Sequence, residues 1–235
     1  MATLYLFRHG QASFGADDYD KLSDLGCRQA EVLGHYLRDH GIELDAAYSG
    51  GLLRQRETAA LALASQPRSV PHHIDKRFDE VRNDEQIKYL VPTVATANPR
   101  IQALVDKGLS SSKDYQKVIE AVFTHWVSPA CDEPRIQSWA DYSGAVRSAL
   151  RDVMTVQGSG KTVGVFTSGG TIATIVTQVL GLSGEHAYKF YEPIFNCSVT
   201  QLFYSGDKVS LSYFNDRSFL QVLGGQREEQ LVSYR

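Results

Sequence analysis

The chain is 235 residues long, 43% hydrophobic and 22% charged, with a formal net charge of −3. That balance is typical of an ordinary soluble globular protein, and it lacks the basic excess that would point to nucleic acid or an anionic membrane as partner. The three cysteines, Cys27, Cys131 and Cys197, lie far apart and are odd in number, which argues against a disulfide framework and for a reducing cytoplasm.

The N-terminal stretch MATLYLFRHG has too short an apolar run for a signal peptide, and no segment is long and apolar enough to cross a bilayer. Residues 3–7, TLYLF, are continuously β-prone, as expected of a strand buried on both faces. A polar loop, GQASFGADDYDK, follows. The next run, LSDLGCRQAEVLGHYLRDHG, places Leu25, Val32, Leu33, Tyr36 and Leu37 on one helical face, with Gly41 at its C-terminal end. LDAAYS reads as a second strand and GLLRQRETAALALAS as a helix stopped by Pro67. A third short segment near residues 70–74 leads to KRFDEVRNDE.

Residues from about 82 to 137 are helix-prone but interrupted by Pro92, Pro99, Pro129 and Pro134. They read as a helical insertion, or cap, within a single domain covering residues 1–235. The helix SWADYSGAVRSALRDVM follows, with Trp139, Tyr142, Val146, Leu150 and Val153 on one face. Then come the strand TVGVFT, a helix ending at Gly181, and two β-prone runs, SVTQLFY and VSLSYF. Alternating strands and helices predict a three-layer α/β/α sandwich around a mostly parallel sheet.

In such sheets ligands bind at the carboxyl ends of the strands. Three strand ends carry suitable chemistry. The first ends in Arg8-His9-Gly10-Gln11, where a histidine can act as nucleophile or base and a glycine lets backbone approach a ligand closely. The bland alternative is a loop histidine beside a surface arginine. The second end opens a helix with Gly50-Gly51, and Arg54 and Arg56 lie in its first turns. Arginines there oppose the helix dipole, so at least one is expected to face an anion. The third end, TSGGT, puts Ser168 and the bare N–H groups of Gly169 and Gly170 at a helix start, where a plain serine N-cap is the simpler alternative.

Two motifs are set aside. GSGKT at residues 158–162 precedes a strand and lacks the first glycine of a phosphate-binding loop. FTSGG has Phe166 where a nucleophile elbow needs glycine. His72-His73 and Glu185-His186 lack metal-ligand spacing and are expected at the surface.

Taken together, the three ends resemble the histidine phosphatase superfamily, with its phosphoglycerate-mutase-like fold. LFRHGQA is similar to the signature R-H-G-[EQ], and YSGGLLRQRETAALAL to the segment S-x-L-x-R-A-x-Q-T-A, which aligns Arg54 with the second phosphate-binding arginine. RFDEVR resembles the segment that supplies the proton donor, pointing to Glu80, with Asp79 adjacent. VGVFTSGGTIATIV resembles V-x-S-H-G-G-x-I, so the second catalytic histidine falls on Ser168. Two further departures are Gly15, where many members carry asparagine, and Phe219, where a histidine often stands.

The resemblance implies that His9 attacks phosphorus, that Arg8 and Arg54 clamp the phosphoryl oxygens, and that Glu80 protonates the leaving oxygen. Gly10, Gln11, Ser168 and Gly169 would bind phosphate, and no metal or organic cofactor is implied. A small phosphorylated substrate is the expected partner. Ser168 lowers the expected turnover unless another residue, such as His72, His73 or His125, replaces the missing imidazole. Three readings stand: a phosphatase, a phosphate-binding protein that has lost turnover, and a serine hydrolase using Ser168. A phosphoglycerate mutase is disfavoured, because GQASFGADDYDKLS lacks the longer Asn- and Trp-containing loop that mutases carry.

Overall fold

The computed structural model of the protein describes residues 1–13, 20–109, 111–227 and 230–234. Its elements in chain order are β1 Ala2–Arg8, α1 Asp24–Asp39, β2 Ala46–Ser49, α2 Leu53–Leu63, β3 His72–Ile74, α3 Asn83–Ala97, α4 Pro99–Asp106, α5 Ser112–Val127, α6 Trp139–Gln157, β4 Thr162–Thr167, α7 Gly169–Val179, α8 Ala187–Tyr191, β5 Val199–Ser205, β6 Lys208–Asp216 and α9 Ser218–Arg227.

The sheet order is β3-β2-β4-β1-β5-β6. The first four strands in that order run parallel, while β5 and β6 are antiparallel additions. Strand β1 shows why its run is continuous rather than alternating. Leu4 and Leu6 join one buried cluster with α3, α5, α6 and α7, whereas Tyr5 and Phe7 join the other with α1 and α2. A strand whose side chains alternate between two cores must be apolar throughout. The result is the expected three-layer arrangement of helices on both faces of the sheet.

Helix α1 starts at Ser23, whose hydroxyl accepts from Gly26 N, and ends where Gly41, at φ 65°, turns the chain. Pro92 does not interrupt its segment as expected, but lies within α3, and Thr96 donates to the Pro92 carbonyl. Buried packing of Leu90 and Val94 on the common core holds that helix across the proline. Val118, Val122 and Phe123 of α5 belong to the same buried cluster as Leu4 and Val163, so residues 82–137 share the core of the sheet. No helix among the described residues is long and apolar enough to cross a membrane.

Candidate functional site

The parallel central strands β1 and β4 deliver Arg8 and Thr167 in register at their carboxyl ends. His9 follows, 6% exposed, and its backbone is fixed on three sides. His9 N donates to Thr167 O at 2.9 Å, and His9 O accepts from Cys197 N at 3.3 Å and Asn196 Nδ2 at 3.2 Å. The ring is fixed as well. Nδ1 lies 2.7 Å from the Gly10 carbonyl, which can only accept, so the proton sits on Nδ1. Nε2 then presents its lone pair, on which Arg54 Nε donates at 3.2 Å. Burial first, then the charges of Arg54 and Arg8, hold the imidazole well below its ordinary pKa, against a smaller opposing effect of the Gly10 carbonyl. The ring is therefore held in its neutral form, with the Nε2 lone pair turned to Arg54.

Gly10 lies in close backbone contact with α1. A Cβ there would lie 2.4 Å from the Gly26 carbonyl of α1, so the glycine lets the loop seat against that helix. Gly10 N also donates to Thr58 Oγ1 at 3.0 Å, tying the loop to α2. Gln11 Oε1 accepts from Ser23 Oγ at 2.9 Å, which places its amide at the start of α1.

Of the two helix arginines, Arg56 is exposed and Arg54 is buried beside His9. Arg54 Nη1 also pairs with Asp20 Oδ1 at 2.6 Å, and Asp20 Oδ2 accepts from Leu53 N at 2.7 Å. Gly51 N donates to Asp79 Oδ1. The start of α2, read from the sequence as an anion site, thus holds two of the protein's own carboxylates. Arg8 Nη1 donates to the carbonyls of Ile194 and Tyr234, the latter at 3.0 Å. Residues 231–233 reach the same place. Gln29 Nε2 donates to Leu231 O and Ser233 Oγ, both at 2.8 Å, and Ser233 Oγ donates to Asn196 Oδ1 at 3.0 Å.

Glu80 Oε1 accepts from Gly170 N and Val81 N, each at 2.9 Å, at the start of α7. Burial pushes its carboxyl above the ordinary value, opposed by the Arg54 and Arg8 charges and by those N–H groups. Burial raises Asp79 too, against the Gly51 N–H and nearby cations. A Cβ at Gly170 would lie 2.3 Å from Glu80 Oε1 and 2.7 Å from Val81 Cγ2, so the glycine leaves room for the carboxylate at the helix start. A Cβ at Gly169 would meet the Tyr191 ring at 3.0 Å and Arg8 Nε at 3.8 Å, so Gly169 lies between the two. Ser168 is fully buried at the N-cap position of α7, yet its side chain makes no capping hydrogen bond. Its Oγ instead accepts from Gln55 Nε2 at 2.8 Å.

His9, Arg54 and, around them, Arg8, Glu80, Ser168 and Gly169 are thus gathered at the carboxyl ends of the central strands β1 and β4. The histidines considered as replacements lie elsewhere. His72 Nε2 contacts Ser49 Oγ at 2.9 Å, His73 packs on Tyr48, and His125 is in the last turn of α5. Phe219 stacks on Tyr36 at 4.4 Å in the core on the α1 face. Gly15 lies outside the described residues. Sequence reading missed Asp20, Gln55, Asn196 and residues 231–234. Only the acidic run ADDYD gave any signal, for Asp20.

The family model described as histidine phosphatase superfamily (branch 1) matches residues 4–100 and 101–217 of the chain. The chain is 37% identical over 75 residues to a broad-specificity phosphatase of Saccharomyces cerevisiae, a match covering 29% of this chain and 33% of that protein. This match therefore spans about a third of that relative. The chain is 25% identical over 223 residues to a 2,3-bisphosphoglycerate-dependent phosphoglycerate mutase of Staphylococcus carnosus, covering 79% of this chain and 87% of that one. Among solved structures, a phosphoserine phosphatase from Entamoeba histolytica in complex with phosphoserine superposes with TM-score 0.65 at 19% identity, covering 94% of this chain and all of that one. A phosphoglycerate mutase from Bacillus anthracis gives TM-score 0.66 at 22% identity over 96% of each chain. At these identities the structural likeness speaks for the fold.

Proposed function

Because the chain belongs to the histidine phosphatase superfamily, we propose that it hydrolyses small phosphomonoesters, or phosphohistidine, through a phosphohistidine formed on His9 without a metal. The observation that carries this reading is the His9 ring, with its Nδ1 proton held by the Gly10 carbonyl at 2.7 Å and its Nε2 lone pair beside Arg54.

In the first step His9 Nε2 attacks phosphorus and the bond to the leaving oxygen breaks. Glu80 gives that oxygen its proton, a role supported by the upward push of burial on its carboxyl. In the second step water attacks phosphorus, Glu80 takes the water's proton, the N–P bond breaks and inorganic phosphate leaves. Arg8 and Arg54 clamp the phosphoryl oxygens, because guanidinium donors match that geometry and charge. Gly169 and Ser168 complete the pocket. Most of the acceleration comes from positioning and charge stabilisation, as for phosphoryl transfer in general. Small phosphorylated acids are a reasonable substrate class, since solved structures of the same fold contain phosphoserine and 3-phosphoglyceric acid.

The alternative of a serine hydrolase finds no support in the surroundings of Ser168, because its hydrogen-bond partner is an amide donor and not a base. A phosphate-binding protein without turnover is the competing reading, favoured by the serine in the second histidine's place.

Hydrolysis of p-nitrophenyl phosphate by wild type and His9→Ala, with chelator present, separates these readings. Turnover by wild type alone, with an acid-labile phosphoenzyme, supports the proposal. Equal rates for the two proteins would sink it.

A further inference from the structure

Gln55 and Ser168 form one fully buried pair beside the nucleophile. Gln55 follows Arg54, whose Nε donates to His9 Nε2. Ser168 follows Thr167, whose carbonyl holds His9 N. The pair therefore joins the first turn of α2 to the end of β4, on the side of β1 away from β5.

The Gln55 amide can sit only one way round. Its Nε2 donates to Phe78 O at 3.2 Å as well as to Ser168 Oγ at 2.8 Å. A carbonyl cannot donate, so the nitrogen must face Phe78, and Oε1 points the other way. Oε1 is pressed against Gly50, where a Cβ would lie 2.0 Å from it, and it has no hydrogen-bond partner among the described residues. A buried acceptor left without a protein partner is costly.

The consequence falls on Ser168. Its Oγ is held as an acceptor, its side chain does not cap α7, and Glu80 takes the Gly170 N–H instead. No acceptor among the described residues takes its hydroxyl proton. In the motif quoted above, alanine follows the arginine and histidine stands at 168; here both differ, and the two replacements touch.

We propose that Gln55 is a positioning residue for the reaction: its amide fixes Ser168 Oγ so that the serine's proton is presented to the phosphoryl group, and its bulk fills the space a larger side chain at 168 would take. This rests on the phosphatase reading given above. Gln55 acts through Ser168, and through Phe78 O it also fixes the segment that leads into Asp79 and Glu80.

The test is a double-mutant cycle on p-nitrophenyl phosphate with Gln55→Met, Ser168→Ala and the double variant. Each single variant is expected to lose kcat by about tenfold to a hundredfold, with KM moved less, since a donor to developing charge acts on turnover. The double variant is expected to match Ser168→Ala within about twofold, because a residue acting through another adds nothing once that other is gone. A general packing defect would persist in the Ser168→Ala background, so multiplying losses would overturn the proposal, as would full activity in Gln55→Met.

Should Gln55→Met not fold, a second pair decides. Ser168→His alone is expected to be no more active than Ser168→Ala, and Gln55→Ala/Ser168→His to exceed it. Equal or higher activity in Ser168→His alone would overturn the steric half of the proposal. Wild type and His9→Ala are run alongside. If their rates are equal, the phosphatase reading fails and the positioning role falls with it. The pair is then judged by the melting shift that inorganic phosphate induces, expected to shrink equally in Gln55→Met and Ser168→Ala. Unequal shrinkage would overturn the pairing itself.

Discussion

Asp20 holds Arg54 at 2.6 Å through Oδ1 while its Oδ2 accepts the Leu53 N–H at 2.7 Å. The carboxylate thus occupies a guanidinium and a helix-start N–H, the same pair of donors that an anionic ligand would use. Asp20→Asn removes the charge that competes for Arg54. Inhibition by inorganic phosphate is expected to tighten roughly fivefold, corresponding to about 1 kcal/mol. Unchanged or weaker inhibition in a competition assay would mean that Asp20 serves to orient Arg54 instead.

The site's two titrating groups predict an acidic optimum. His9 is held well below its ordinary value by burial and by Arg54 and Arg8, so it stays neutral and nucleophilic as the pH falls below neutral. Glu80 is pushed up by burial, so its proton survives to higher pH than in an ordinary glutamate. Activity should therefore decline as pH rises through the Glu80 pKa. In Glu80→Gln, kcat/KM profiles should lose that basic limb, with kcat down by about 10²–10⁴ on substrates with poor leaving groups. A basic limb that survives the substitution would shift the role to Asp79.

The same shift has a sign in stability. A carboxyl raised in the folded state binds more protons there than when unfolded, so stability falls as pH rises above the unfolded value of about 4.3. Glu80→Gln escapes that loss, since its amide oxygen can still accept from Gly170 N and Val81 N. Thermal melts should show the variant more stable than wild type at pH 8 and no more stable at pH 4. A gain that is equal at both values would mean that ionisation of Glu80 is not the cause.

Gly10→Ala tests the seating of the nucleophile loop. The added methyl would lie 2.4 Å from the Gly26 carbonyl, with backbone on both sides and no flexible end to move. A loss of about 1–3 kcal/mol is expected from such overpacking, visible as a lower midpoint in urea. A midpoint equal to wild type would show that α1 can shift away freely.

How legible was all this from the sequence? Strand β1 announced itself because burial on two faces makes every residue from Leu4 to Phe7 apolar. His9 and Arg54 drew notice because one follows a strand end and the other opens a helix, where short motifs mark the turn, whereas Glu80, in the loop between β3 and α3, was marked only by the resemblance of RFDEVR. Gln55 was not, since nothing local distinguishes a glutamine on a helix until Ser168, 113 positions away, is folded against it. Asn196 and Ser233 were hidden for the same reason. Pro92 misled because the rule that proline breaks helices is local, while the packing that holds α3 across it is not. Helix α9 was hidden because its amphipathic patterning is weak and β6 runs to within two residues of its start.

The contact between Arg8 and the Tyr234 carbonyl joins residues 226 positions apart. During synthesis, Arg8 and His9 emerge early and must wait for residues 231–234 to be made. At about 5–20 residues per second that interval is roughly ten to forty-five seconds. Until then Arg8 lacks its bond to the Tyr234 carbonyl, and Asn196, which holds the His9 carbonyl, lacks its bond to Ser233. Contacts of such long range form late and slow the search for the native state. The support of the His9 loop is therefore complete only after residue 231 has been made, and a fragment stopping before it would carry His9, Arg8, Arg54 and Glu80 on an unfinished frame.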